Sequence, residues 1–201
     1  MEIRRVGTRG LLLSVENPLA WHASLVARRA AGDLRALEIV PGAETVLLDT
    51  VSDVDAVVAA LPSWRPREDA AGGATGAVVE IPVSYDGPDL PSVAELWKVP
   101  VDAVVDRLAG TKFQVAFCGF APGFAYLTGL PPELAVPRLP SPRPGVPAGS
   151  VGLAGEYAGI YPTASPGGWR LVGRTDVVLF DVAADPPALL GPGTRVRLVA
   201  R

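Results

Sequence analysis

The chain has 201 residues, of which 49% are hydrophobic and 19% charged, and its formal net charge is −3. This composition is typical of a compact globular protein, and the mild negative charge argues against a general nucleic-acid binder. The sequence contains no apolar run of about 18 residues and no signal-peptide core near its first residues, so we expect a cytoplasmic protein without a membrane span.

The first sixty residues alternate between strand and helix signals. Strands are predicted over 1–6, 10–15, 37–40 and 45–48. Asn17 before a proline predicts the start of a helix that ends at Gly32, and Asp53 predicts the start of a second helix that Pro62 stops. The order β-β-α-β-β-α predicts a small α+β sandwich over residues 1–62.

Residues 63–76 are polar, small and glycine-rich, which predicts a linker, and a second domain is expected over 77–201. Its strands are predicted over 77–83, 112–117, 175–182 and 194–199. One helix is predicted over 92–96, with Ser92 and Glu95 as a capping box, and another over 101–108. Many short strands with dense turn signals indicate a barrel or a sandwich.

The segment 117–175 combines turn residues with aromatic side chains. The chain has 43 glycines and prolines, and 21 of them lie between Gly119 and Gly173. The segment also holds seven of the thirteen aromatic residues of the chain. It contains four arginines but only two glutamates, namely Arg138, Arg143, Arg170 and Arg174, with Glu133 and Glu156. Aromatic rings in ordered loops with excess positive charge favour a site for a carboxylate, a phosphate or an acidic partner.

Several motifs come close to known chemistry without completing it. The sequence at 168–175 is similar to the phosphate-loop motif but has Arg174 in place of lysine, bulky intervening residues and a predicted strand where a helix is needed. The sequence at 148–152 is similar to the nucleophile-elbow motif but lacks its first glycine, which favours Ser150 as a hydrogen-bonding residue. His22 and Cys118 are the lone residues of their types, so neither a disulfide nor the usual His/Cys zinc site can form and no metal is expected.

A family resemblance rests on fixed pieces of this segment in a fixed order. They are GFAPGFAYL at 119–127, PR at 137–138 and 142–143, VPAGSV at 146–151, AG at 154–155, GIYP at 159–162, SPGGW at 165–169 and GRT at 173–175. In these pieces the chain resembles the family of the 5-oxoprolinase B subunit, also called allophanate hydrolase subunit 1 or KipI-like, of the carboxyltransferase subdomain C/D type. A weaker match extends over the whole chain.

The resemblance implies an α+β protein whose small N-terminal α+β domain precedes a cyclophilin-like β-barrel. It implies a subunit, expected to be inactive alone, of an ATP-dependent hydrolase complex that opens 5-oxo-L-proline to L-glutamate. The partners would be a C subunit of the allophanate hydrolase subunit 2 type and an A subunit of the LamB/YcsF type. ATP would be a cosubstrate of the complex, with no covalently bound cofactor in this chain.

Two other interpretations stay open at this point. KipI-type members inhibit a sporulation histidine kinase, which would make the chain a regulatory binding module. A urea- or allophanate-metabolising complex is the third interpretation. Leu108, Tyr157 and Ala158 depart from the family pattern, where a histidine and a Gln-Thr pair are frequent, so the detailed carry-over of substrate is not fixed by the resemblance.

The candidate site combines residues for binding and residues for loop shape. The substrate- or partner-binding candidates are Phe120, Phe124, Tyr126, Arg138, Arg143, Ser150, Tyr161, Ser165, Trp169 and Arg174. The loop-scaffold candidates are Gly119, Pro122, Gly123, Gly167 and Gly168. No catalytic residue is identified from the sequence.

Overall fold

The computed structural model describes residues 1–66 and 78–201. The chain divides into two compact units, Met1–Thr75 and Gly76–Arg201. Of the predicted linker, residues 67–76 lie outside the described part. Trp64 does not behave as a linker residue, because it is 8% exposed in the core of the first unit and the Arg28 guanidinium carbon lies 4.5 Å from its ring centroid.

The first unit is an antiparallel sheet of order β1-β2-β4-β3 with two helices, as far as residues 1–66 show. Its elements are β1 Glu2–Val6, β2 Gly10–Ser14, α1 Pro18–Ala31, β3 Glu38–Pro41, β4 Thr45–Asp49, α2 Val54–Ala60 and a 3-10 turn Leu61–Ser63. One face of the sheet and the apolar sides of the helices share a core around Leu13, Leu25 and Leu48. The predicted order of elements is confirmed.

Local capping chemistry sets the helix boundaries in this unit. The Asn17 side chain accepts a hydrogen bond from the backbone N–H of Ala20 at 3.1 Å, and Asp53 accepts one from Ala56 at 2.9 Å. Gly32 ends α1 with φ of 87°, a conformation that glycine adopts at little cost. The predicted boundary residues Asn17, Asp53 and Gly32 are confirmed.

The second unit is a mixed sheet with two helices packed against it. Its elements are β5 Val79–Val83, α3 Leu90–Trp97, α4 Val101–Gly110, β6 Phe113–Cys118, β7 Ala125–Thr128, β8 Arg143–Val146, β9 Ser150–Ala154, β10 Tyr157–Ile160, β11 Ser165–Gly167, β12 Arg170–Arg174 and β13 Arg195–Ala200. In residues 78–201 seven strands follow the order β12-β9-β10-β7-β6-β13-β5, while β8 and β11 pair separately. Only β5 and β13 pair in parallel among them.

The two edges of the seven-stranded sheet meet, which closes it into a barrel. Directly after β5, Ser84 exchanges both backbone hydrogen bonds with Arg174, the last residue of β12, at 2.9 Å each. We call this junction, residues 84–89 against 171–174, the seam. Its backbones approach so closely that a Cβ on Gly87 would lie 2.4 Å from the Leu171 carbonyl oxygen, and one on Gly173 would lie 2.5 Å from that of Ser84. The predicted α+β class with a barrel in the second domain is confirmed.

The predicted start of one helix and one predicted strand of this unit are wrong. Helix α3 begins at Leu90 instead of Ser92. Pro91 is tolerated in its first turn because a backbone N–H there would have no partner within the helix. The Ser92 hydroxyl does not cap the helix and donates to the Asp89 carbonyl at 2.8 Å. Residues 175–182 form no strand and make a single bridge, between Phe180 and Ala188. Both barrel edges are already joined at the seam, and the prolines at 186 and 187 have no N–H to donate to a ladder.

No helix in residues 1–66 or 78–201 has the length and apolar character needed to cross a bilayer.

Candidate functional site

The loop from Gly119 to Phe124 consists of two consecutive tight turns. The Ala121 N–H donates to the Gly119 carbonyl at 2.8 Å, which makes a γ-turn centred on Phe120 with φ of 70°. The Phe124 N–H then donates to the Ala121 carbonyl at 3.0 Å, with Pro122 and Gly123 in the central positions and a Gly123 φ of 82°. Proline followed by a positive-φ glycine is the sequence signature of a type II turn, which explains the roles of both residues.

Seven aromatic side chains of the second unit form one packed group, the aromatic cluster. Its members are Phe117, Phe120, Phe124, Tyr126, Tyr157, Tyr161 and Trp169. Phe124 lies at its centre, with edge-to-face centroid distances of 5.3 Å to Tyr161 and 5.4 Å to Trp169. These three rings are buried, whereas Tyr126 is half-buried and Phe120 is exposed. The cluster is therefore mainly a packing core with an exposed edge.

Glycines make room for the rings of this cluster. A Cβ on Gly159 would lie 3.0 Å from both Phe124 and Trp169. A Cβ on Gly167 would lie 2.3 Å from the Tyr161 hydroxyl oxygen. Burial raises the pKa of Tyr161, while a hydrogen bond from the Trp169 backbone and the nearby charges of Arg138 and Arg143 oppose that shift. Gly167 thus fits against the Tyr161 ring because it has no side chain, and its role as loop scaffold stays a prediction.

A cleft of about 340 Å³ opens along the seam, and we call it the seam cleft. Its lining includes the glycines at 87, 145 and 173, the 147–148 turn and the side chains of Asp86, Arg143, Ser150, Leu171 and Arg174. Three predicted binding residues, Arg143, Ser150 and Arg174, are thereby brought together from three different strands. The Ser150 hydroxyl makes no hydrogen bond to any residue of the described chain, although the residue is buried.

Arg143 is held by a buried carboxylate that the sequence did not single out. Its Nη2 donates to Asp89 at 2.8 Å and its Nη1 to the Trp169 carbonyl at 3.4 Å. The second oxygen of Asp89, a residue only 8% exposed, accepts from the Leu171 N–H at 2.7 Å. Asp89 therefore joins the start of α3 to β8 and β12 and fixes the direction of the Arg143 guanidinium.

Arg174 has an acidic partner as well, in a more open setting. Its Nε and Nη2 both lie 2.9 Å from one oxygen of Asp86, and this pairing raises the pKa of Arg174. The signal that could have pointed to both acidic residues is the turn-rich loop at 85–91, which carries two aspartates around a glycine and a proline. Sequence separations of 54 and 88 residues hide the pairs themselves.

The remaining predicted residues lie around this region without lining the cleft. Arg138 is exposed and forms no ion pair with a residue of the described ranges. The Ser165 hydroxyl oxygen is buried and, within those ranges, has no hydrogen-bond partner. Gly168 accepts a hydrogen bond from the Leu139 N–H at 2.8 Å, which ties the segment before β8 to the segment before β12. Phe124, Tyr161 and Trp169 belong to the core, so their role in binding stays a prediction.

The near-motifs take ordinary structural roles. Residues 170–174 of the phosphate-loop-like stretch are strand β12, and no helix follows them in the part of the chain that the structure describes. Glu156 is exposed. The Cys118 thiol donates to the Leu190 carbonyl at 3.4 Å, and burial raises the pKa of this thiol. Across residues 1–66 and 78–201 no three His, Cys, Asp or Glu side chains are grouped to hold a metal ion.

The seam cleft is therefore equipped for binding. Two guanidinium groups and one hydroxyl converge on a space walled by small residues, which suits a small anion or carboxylate. Of the side chains that line it, Asp86 is the sole carboxylate in the described structure, and Arg174 already occupies it. The residues that line the cleft form no complete set of nucleophile and base.

Comparison with known proteins gives a consistent family. The sequence model of the protein family "carboxyltransferase domain, subdomain C and D" matches residues 1–190. The 5-oxoprolinase B subunit of Escherichia coli O157:H7 is 38% identical over 205 residues, covering 96% of this chain and 93% of that protein. The 5-oxoprolinase B subunit of Bacillus subtilis (strain 168) is 46% identical over 125 residues, covering 61% of this chain and 52% of that protein.

Among solved structures, TTHA0988 is similar over 96% of this chain, with a TM-score of 0.79 and 35% sequence identity. This chain covers 40% of the TTHA0988 chain. In that protein the same fold is thus part of a longer polypeptide.

Proposed function

This chain belongs to the family of the carboxyltransferase domain, subdomain C and D, and we propose that within this family it is a subunit of an ATP-dependent 5-oxoprolinase. The observation that carries the proposal is the 38% identity to a 5-oxoprolinase B subunit over nearly the full length of both chains. The reaction opens the ring amide of 5-oxo-L-proline to give L-glutamate. Because ATP is the proposed cosubstrate, a cytoplasmic location is part of the proposal.

The chemistry of the substrate explains why a complex is needed. A five-membered lactam is a stable amide, and transfer of a phosphoryl group to its oxygen would convert that oxygen into a leaving group. Water can then attack the carbonyl carbon, and the ring opens when the carbon–nitrogen bond breaks and the nitrogen takes up a proton, which leaves an acyl phosphate. A second water hydrolyses this acyl phosphate to L-glutamate and phosphate. The described residues of this chain offer binding groups for such a substrate, so we assign the missing catalytic groups and the nucleotide site to partners. The proposed partners are a C subunit of the allophanate hydrolase subunit 2 type and an A subunit of the LamB/YcsF type.

The seam cleft is the proposed contact with the substrate carboxylate. Arg143 uses Nη2 and Nη1 for Asp89 and Trp169, and Arg174 uses Nε and Nη2 for Asp86, so each guanidinium keeps further N–H donors for a ligand. A guanidinium pair binds a planar carboxylate with short, charge-assisted hydrogen bonds. The unpaired hydroxyl of Ser150 would supply a further donor at the same place.

Reconstitution tests the complex. We expect ATP-dependent release of glutamate from 5-oxoproline when this chain is co-expressed with the candidate partners of both types, and loss of that activity when any one chain is omitted. Glutamate and ADP are measured separately, because ADP formation without glutamate would show an uncoupled ATPase. A stable three-chain assembly that releases no glutamate would contradict the assigned substrate, and failure to assemble would contradict the complex.

The role of Arg143 is tested by Arg143→Lys, because alanine would also leave the Asp89 carboxylate without its charge partner. Lysine keeps the positive charge next to Asp89 but loses the planar fork that grips a carboxylate. In the reconstituted complex we expect KM for 5-oxoproline to rise about tenfold or more, as the loss of one charge-assisted bond implies, while Tm of this chain changes little.

Arg170→Lys is the matched control for this substitution. Arg170 lies in β12 and donates to the Pro137 carbonyl and the Ser92 hydroxyl, away from the seam cleft. Its replacement should leave KM unchanged. Equal KM values for the Arg143→Lys and wild-type complexes would remove Arg143 from the substrate site.

A further inference from the structure

Phe120 is an exposed phenylalanine held in an unfavourable backbone conformation. Its side chain is 62% exposed although it belongs to the aromatic cluster, and its φ is 70° at the centre of the γ-turn. Positive φ is uncommon for any residue with a side chain and is an outlier for a bulky one, and γ-turns of this sense are strained. Such strain persists only where the surrounding structure enforces it, and it is concentrated at functional sites.

The surroundings fix this conformation from both sides. The Gly119 N–H donates to the Phe124 carbonyl at 3.2 Å, so the whole loop is closed by backbone hydrogen bonds. Behind it, a Cβ on Gly123 would lie 2.6 Å from the Cβ of Phe180, which shows that the second turn is pressed against the 177–190 segment. The Phe120 ring rests with its edge on Phe124 and Tyr161, at centroid distances of 5.3 and 6.2 Å. The ring is thus positioned by packing while most of its surface faces outward.

An arginine near the aromatic cluster adds positive charge. Arg138 is exposed without an ion pair there, and it lies near enough to Tyr161 to act on the pKa of its hydroxyl. Pro122, two residues after Phe120, is exposed as well. An exposed aromatic ring, together with an exposed arginine near Tyr161 of the same aromatic cluster, is the composition of a protein–protein hot spot.

We propose that Phe120 is the anchor with which this chain docks onto the partner of the allophanate hydrolase subunit 2 type, inserting the ring into an apolar pocket whose rim is acidic opposite Arg138. This inference depends on the proposed hetero-subunit function. A different chain is favoured as the occupant over a second copy, because the part of TTHA0988 that matches this chain makes up only 40% of that protein, so the same fold occurs there joined to further sequence. The strained turn presents the ring in one orientation before contact, so little side-chain freedom is lost on binding.

The test uses the full chain and a purified candidate partner of the allophanate hydrolase subunit 2 type, with the dissociation constant measured by isothermal titration calorimetry. Phe120→Ala and Phe120→Gly both remove the ring, and each is expected to weaken binding about 30-fold or more, as removal of an anchor does. Val178→Ala is the control, because Val178 is 70% exposed in the same unit. We expect its dissociation constant to stay within about twofold of the wild type.

The alanine and glycine variants also separate the ring from the strain. Glycine adopts positive φ without penalty, so the free Phe120→Gly chain should have a Tm about 2–4 °C above that of Phe120→Ala. A lower Tm for the glycine variant would overturn the strained display of Phe120.

Arg138→Glu tests the charge on the rim. It is expected to weaken binding about tenfold at low salt, with a smaller effect at high salt, because exposed charges are screened. Arg107→Glu makes the same charge change on the exposed side of α4 and should have little effect.

The outcomes distinguish this inference from the proposed function. If the wild-type chain binds this partner and the Phe120 variants bind it equally well, the anchor is overturned while the complex stands. Equal weakening by Val178→Ala would also overturn it. If binding depends on Phe120 but the complex opens no 5-oxoproline, the interface stands and the assigned substrate fails. A wild-type chain that binds no candidate partner overturns both.

Discussion

Replacement of Phe124 by alanine is expected to lower the free energy of unfolding of the second unit by about 3–5 kcal/mol. Phe124 is 1% exposed and makes edge-to-face contacts with four rings of the aromatic cluster. Alanine leaves a cavity between Tyr161 and Trp169, and the glycines that border them have no side chain to fill it. Urea unfolding followed by near-ultraviolet circular dichroism measures the loss, because that signal depends on fixed aromatic packing.

Phe120→Ala provides the comparison, since it is the same chemical change four residues earlier. Its ring is mostly exposed, so the expected cost is below about 1 kcal/mol. The two phenylalanines occur in the repeated Gly-Phe pieces of one motif, yet Phe124 stabilises the core and Phe120 lies at the surface. Similar unfolding midpoints for the two variants would contradict this division.

Asp89→Ala is expected to destabilise the second unit by about 2–4 kcal/mol, which corresponds to a Tm lower by roughly 5–12 °C. The substitution removes the acceptor of the Leu171 N–H and leaves the half-buried Arg143 without its charge partner. Differential scanning calorimetry of the full chain measures the change. Asp89→Asn keeps an acceptor oxygen for Leu171 and should fall between alanine and the wild type.

Asp86→Ala is the matched control, because the Asp86–Arg174 pair spans the same seam in an exposed setting. Exposed ion pairs are screened by water and salt and contribute little to stability, so Tm should change little. If Asp86→Ala and Asp89→Ala had equal effects, burial of the Asp89 carboxylate would not be the source of its contribution.

Local sequence chemistry was sufficient for the boundaries of the first unit. Asn17 and Asp53 cap helices through atoms three residues away, and the conformational freedom of Gly32 ends α1 at one position. Such contacts depend on neighbours in the sequence, so a pattern can predict them. The class of the second unit followed in the same way from its dense turns.

The predictions of the α3 start and of the strand over 175–182 were wrong because contacts with residues far away in the sequence determine the local structure there. Ser92 and Glu95 fit a capping box, but the helix begins earlier because the chain enters α3 from the seam, where Asp89 is bound to β12. Residues 175–182 have the composition of a strand, but no barrel edge is left to pair with them in the described structure.

The candidate site was predicted as residue types and only partly as an arrangement. The motif located Arg143, Ser150 and Arg174, which do line one cleft. The aspartates that orient the arginines come from a loop far away in the sequence, and no local pattern reports such pairs. Phe120 is exposed whereas Phe124 is buried, and this difference depends on the direction of each side chain within the folded loop.

The position of β13 also bears on how the second unit folds. Residues 195–200 lie between β5 and β6, and Val79 pairs with Val196, so the ladder of β5 and β13 joins the first and last strands of the barrel. Parallel pairing over such a long sequence separation is slow, because the loop must close before any contact forms. During synthesis the edges of β5 and β6 stay unpaired until β13 has left the ribosome. We expect nascent chains in this interval to be the form most prone to aggregation and most dependent on chaperones.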